Sequence, residues 1–118
     1  MAKKPEYNYK SLQTEYGKMP PQAVDLEEAI LGSLMLEKDA FITVSDFLKP
    51  ECFYKEAHQK IYRGIQNLSL NNEPVDILTV SEEMKRLGEL EEIGGYYYLA
   101  QLTSKVASAA HIEFHARI

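Results

Sequence analysis

The sequence predicts an all-α fold, a bundle of about six short helices, and three observations carry that expectation. From Pro21 onward, apolar residues recur at helical spacing. No alternating run long enough for a useful strand appears. The connections between the periodic segments are short and marked by proline, glycine or asparagine.

The elements follow in order. Residues 1–20 hold few apolar residues, without a period, and end in "MPPQ", so they read as an N-terminal tail whose second proline is fit to open a helix. Leu26, Ala29, Ile30, Ser33 and Leu34 then form an i, i+3, i+4, i+7, i+8 stripe, with Glu27 and Glu28 in the first turn, where the helix dipole favours them. Phe41, Val44, Phe47 and Leu48 form a second stripe, stopped before Pro50. Phe53 joins the core, and Ala57, His58, Ile61, Ile65 and Leu68 form a third stripe, ended by the turn "NNEP". Asp76 caps a fourth helix with Ile77, Val80, Met84 and Leu87 on its stripe, and Gly88 just beyond is a left-handed stop. Gly94 and Gly95 allow a sharp start to a fifth, with Leu99, Leu102 and Val106 inward. A sixth starts near Ser108 and carries Ile112 and Ile118, with no terminating signal after it. That missing stop leads us to expect that the parent protein continues.

"YYY" at 96–98 puts three adjacent side chains on one helix, and they cannot all face inward. At about 100° per residue, Leu99, Leu102 and Val106 set the buried direction. Tyr98 falls roughly 70° from that direction, Tyr96 roughly 90° on the other side, and Tyr97 points almost directly away. Tyr96 and Tyr98 are expected at the boundary, ring inward and hydroxyl toward water. Tyr97 is expected to be exposed. It reads either as one scattered surface ring or as an aromatic anchor for a protein partner.

Composition narrows the function. A chain of 118 residues is one domain, and 45% apolar with 26% charged residues is ordinary for a globular protein. No apolar run approaches the ~18 residues of a membrane span, and no apolar stretch follows the N-terminal lysines as a secretory signal would require. The single cysteine, Cys52, excludes an internal disulfide and fits a reducing, cytoplasmic setting; we read it as a buried structural thiol. The net charge is −5, with +2 on residues 1–22 and so −7 on the remainder. Gripping phosphates needs clustered lysine and arginine, so strong nucleic-acid binding by this domain alone is not expected. The charge argues for a protein partner.

Catalytic motifs are absent: no G-x-x-x-x-G-K-[ST], G-x-G-x-x-G or G-x-S-x-G occurs. "HIEFH" sets His111 and His115 on one helical face, but Ile112 stands where the zinc-protease pattern needs glutamate, and no third ligand is evident. His58 on its apolar stripe reads as a satisfied core histidine. Glu89, Glu91 and Glu92 read as a solvated loop. Neither a catalytic, metal nor cofactor site is expected within these residues.

Taken in order, "MPPQAVDLEEAILGSLML", "LKPECFYKEAHQKIYRGI", "EPVDILTVSEEMKRLGELEEIGGYYYLAQL" and "SAAHIEFHARI" closely resemble the N-terminal domain of the DnaB family of bacterial replicative DNA helicases. The resemblance covers roughly residues 19–118 in register, leaving the tail without an account. It implies a helical head over residues 21–107, with 108–118 the first turns of a longer helical hairpin. It also implies a RecA-like motor beyond, which would hold ATP and magnesium. Six such domains would form a collar, a hexamer in the bacterial replisome, while the 118 residues alone would be a monomer or weak dimer. The implied partners are a DnaG-type primase and a helicase loader. Tyr98 occupies the place of the family tyrosine after the double glycine, in the neighbourhood of the primase contact; tyrosines at 96 and 97 depart from the pattern. The competing reading is a free-standing helical adaptor with no motor attached.

Overall fold

The described residues of the computed structural model, 21–117, contain five α-helices, one 3-10 turn and no strand; side-chain surroundings are described from Ala23 to Ser108. The expected tail 1–20 and the side chains of His111 and His115 lie outside them. Helix α1 spans Pro21–Leu36, α2 Ala40–Val44, the 3-10 turn Pro50–Cys52, α3 Glu56–Leu70, α4 Ile77–Arg86 and α5 Gly95–Arg117. Five helices stand where six were expected because no new helix begins near Ser108: α5 runs unbroken through that point. "VASAA" contains no breaker, so nothing local interrupts the backbone hydrogen bonds there.

Local chemistry sets several ends. Asp76 and Thr79 form a reciprocal box at the start of α4: the Thr79 N–H donates to Asp76 Oδ1 at 2.8 Å and the Asp76 N–H donates to Thr79 Oγ1 at 2.9 Å. At its other end Gly88 takes φ +74°, and the N–H of Glu89 donates to the carbonyl of Met84 at 2.9 Å, closing a Schellman turn. Gly94 takes φ +111°, and a Cβ on it would lie 2.9 Å from that of Tyr98, so its lack of a side chain lets the chain pass over the tyrosine.

The core gathers Leu31, Leu34 and Met35 of α1, Phe53, Ile61, Tyr62, Ile65 and Leu68 around α3, Val80 and Met84 of α4, and Ile93, Leu99 and Leu102 of the last segment. Tyr62 is fully enclosed and donates its hydroxyl to the Leu48 carbonyl at 2.7 Å. Burial and, secondarily, Cys52 push its phenol up to about 12. Glu83, also buried, is held by Arg86 and Asn67, and its bond to Arg86 keeps the carboxyl below the usual range.

Three placements correct the sequence reading. Leu26, expected in the core, is 55% exposed, and Ile30 only packs against the core from its edge. The buried face of α1 is Glu27, Leu31, Leu34 and Met35, rotated by about one residue from the expected stripe. The cause is tertiary: polar partners hold Glu27 inside, and Gly32 must face α5. Phe47 is 67% exposed because α2 ends at Val44, so its helical stripe stops before reaching Phe47, while Leu48 returns to the core. Cys52 is half-buried rather than enclosed, being the last residue of a short surface turn.

Candidate protein-docking site

Helix α5 carries the three tyrosines on different sides. Tyr97 is 73% exposed and Tyr96 46%, while Tyr98 is half-buried with its ring against the core. Helices α1 and α5 make the broadest helix–helix contact, and its intimacy rests on Gly32, which sits under the Leu102 carbonyl. Beside Tyr98, between the two helices, opens a groove of about 510 Å³, bordered by Glu28, Gln101, Ser104 and Lys105. Lys105 closes its rim, pairing with Glu28 and reaching Asp25 at 3.3 Å. Both pairs are partly or largely solvated, so they shape the rim more than they stabilise it.

Below this surface runs a buried polar chain. Glu27 Oε2 accepts the Tyr54 backbone N–H at 2.6 Å, and Oε1 accepts from His58 Nδ1 at 2.7 Å. The other ring nitrogen of His58, Nε2, is hydrogen-bonded to the Tyr98 hydroxyl at 2.6 Å. Glu27 and His58 are both 0% exposed, and no buried side-chain nitrogen or oxygen among the described residues lacks a partner. Burial first, and then the charges of Glu28 and Glu27, push the Tyr98 phenol up to about 12. The Lys55 ammonium stands 5.4 Å from the centre of the Tyr98 ring, within cation–π range.

The structure therefore brings His58 and Tyr98 into contact through α3 and α5 and leaves Tyr96 and Tyr97 outside it. Sequence reasoning missed Glu27, read there as a first-turn dipole residue. A histidine on an apolar stripe does signal a buried polar partner, but nothing in the sequence says which of the 18 acidic residues supplies it. Among the described residues, no group of three or more histidines, cysteines or carboxylates is placed to hold a metal ion, and no helix is long and apolar enough to cross a membrane. The arrangement offers one aromatic ring, Tyr98, in the wall of an open groove and an exposed one, Tyr97, on the same helix, chemistry suited to binding a protein surface.

Comparison with known proteins places this surface in context. A family model described as the DnaB-like helicase N terminal domain matches residues 19–118. The replicative DNA helicase DnaB of Rhodothermus marinus is 49% identical over 108 residues, 92% of this chain and 12% of that protein. The replicative DNA helicase DnaB of Geobacillus stearothermophilus is 43% identical over 101 residues, 86% of this chain and 22% of that protein. The chain thus spans less than a quarter of either relative's length. The crystal structure of the N-terminal domain of DnaB helicase from Mycobacterium tuberculosis superposes with a TM-score of 0.66 at 42% identity, covering 73% of this chain and 60% of that one.

Proposed function

Because the chain belongs to the DnaB-like helicase N-terminal domain family, we propose that it is the non-catalytic collar domain of a hexameric, ATP-driven replicative helicase and docks primase at the replication fork. Residues 21–107 hold the head, and 108–118 carry α5 onward into the first arm of a hairpin that pairs neighbouring subunits. Because α5 runs unbroken past Ser108, head and hairpin would share this one helix, which would carry the head's position into the hairpin. ATP and magnesium belong to a motor domain further along the parent chain, in the bacterial cytoplasm. A helicase loader is a further partner of the assembled collar.

The observation that carries the docking reading is the half-buried Tyr98 ring lining the α1–α5 groove, with the exposed Tyr97 ring next to it in sequence. Such rings supply large contact area, and a central one typically contributes ~2 kcal/mol or more to an interface. Titration calorimetry of a primase C-terminal domain into the full-length protein tests it. Tyr97→Ala and Tyr98→Ala should each weaken binding by roughly thirtyfold at that magnitude, with helical content unchanged. Unchanged affinity in both variants would sink the reading.

A further inference from the structure

We infer that Glu27 and His58 are positioning residues for the docking surface: their hydrogen-bonded chain to Tyr98 fixes where the phenol ring stands before a partner arrives. The inference rests on the docking reading above and adds to it two buried residues that touch no partner.

The chain joins three helices that are distant in sequence. Glu27 on α1 is pinned at both oxygens, by the Tyr54 N–H and by His58 Nδ1. His58 on α3 is thereby held in one orientation, with its remaining nitrogen aimed at Tyr98 on α5. The two rings lie within 11° of parallel, centroids 5.9 Å apart, with the hydroxyl 2.6 Å from the imidazole nitrogen. Three further contacts bound the ring. Lys55 stands against its face, Gly94 leaves room behind its Cβ, and the ring body packs on the core. Tyr97, one residue earlier, is mostly exposed.

Burying a carboxylate and an imidazole is a poor way to gain stability, because each must be stripped of water; well-packed apolar residues of similar volume often do as well or better. What a fully satisfied polar chain provides is a unique arrangement. Its end point here is the hydroxyl of a ring beside the groove. An unlocked surface side chain loses rotamer freedom on binding, which costs ~0.5–1.5 kcal/mol, roughly a three- to tenfold loss of affinity. A ring locked in advance avoids that loss.

The test is a double-mutant cycle on the full-length protein, with calorimetric binding of a primase C-terminal domain, and NMR of the Tyr98 ring in the 118-residue chain. His58→Gln should weaken binding roughly three- to tenfold when Tyr98 is intact, and change it less than about twofold when Tyr98→Phe has already removed the hydroxyl. In the same variant the Tyr98 hydroxyl proton should lose its protection from exchange, and the ring should average over rotamers. Glu27→Gln, run through the same cycle, replaces His58→Gln if the latter does not fold. An equal loss in both backgrounds would show a global packing effect and overturn the inference. So would unchanged binding, or a Tyr98 ring as ordered in the variant as in the parent. If Tyr97→Ala and Tyr98→Ala leave affinity intact while His58→Gln still frees the ring, the docking reading falls, and the chain is reduced to a core feature.

Discussion

Gly32→Ala should destabilise the domain by about 2 kcal/mol, although alanine is the better helix former. A Cβ at this position would lie 2.4 Å from the carbonyl oxygen of Leu102, 2.6 Å from Val106 Cγ2 and 3.0 Å from the Leu102 carbonyl carbon. Carbon–oxygen contacts settle at about 3.3–3.6 Å, so α5 must retreat by roughly 1 Å. The nearest obstacle is backbone, which cannot rotate aside as a side chain would. The retreat lifts Leu99 and Leu102, both enclosed, away from α1. Overpacking of this kind costs up to ~3 kcal/mol, and the propensity gain returns ~1 kcal/mol. Urea unfolding followed by circular dichroism measures the difference. With a slope of about 2 kcal/mol/M the midpoint should fall by about 1 M at unchanged slope. Two other glycines calibrate the result. Gly64→Ala meets only the Met84 sulfur, at 2.8 Å, and Glu83 Cγ at 3.7 Å; the thioether can swing, so the change should stay within about 0.5 kcal/mol. Gly88→Ala meets nothing but must hold φ +74°, a loss of ~1 kcal/mol. A Gly32→Ala variant as stable as the parent, or no worse than Gly64→Ala, would refute the close approach of α1 and α5.

The phase of α1 can be checked by a pair of truncations: Leu31→Ala should cost about 2–5 kcal/mol and Leu26→Ala less than about 0.5 kcal/mol in calorimetric unfolding. The reverse order would put the expected sequence stripe back in the core. Alkaline pH should destabilise the domain through Tyr62 and Tyr98, both pushed up to about 12. The unfolded chain releases these protons near pH 10 and the folded one only near 12. Between those values the unfolded state binds fewer protons, so stability is full below about pH 10 and falls as pH rises through the window. Urea midpoints either side of it, with the ultraviolet absorbance of phenolate as a monitor, should show the fall; a flat profile would contradict the burial of both hydroxyls.

Much of the architecture was legible because it is locally encoded. Asp76 at its cap, Gly88 at its left-handed turn, and Gly94 and Gly95 ahead of the tyrosines act within a few residues, where a hydrogen bond or a sterically allowed φ decides the outcome. The direction of Tyr97 followed from helical geometry, since Leu99 and Leu102 left only one inward direction for α5. The Tyr98 hydroxyl, expected toward water, instead turns inward, because a buried partner, His58, waits for it 40 residues away in sequence. Helix α1 gave no such answer. It carries apolar residues on more than one side, so periodicity fits the stripe of Leu26, Ile30 and Leu34 as readily as the observed face of Leu31, Leu34 and Met35.

The sequence by itself determined that this chain would be helical, that one helix would be capped at Asp76 and stopped at Gly88, which tyrosine would stand clear, and which family it resembles. These depend on short-range sterics, on one helix's own geometry, or on residue order. Only the tertiary structure decided that Glu27 would lie inside and Leu26 outside, that Gly32 would face a carbonyl, and that Tyr98 would end a polar chain begun 71 residues earlier at Glu27. Each of those is a contact between segments far apart along the chain, where the free energy depends on what arrives opposite a residue rather than on the residue's own neighbours.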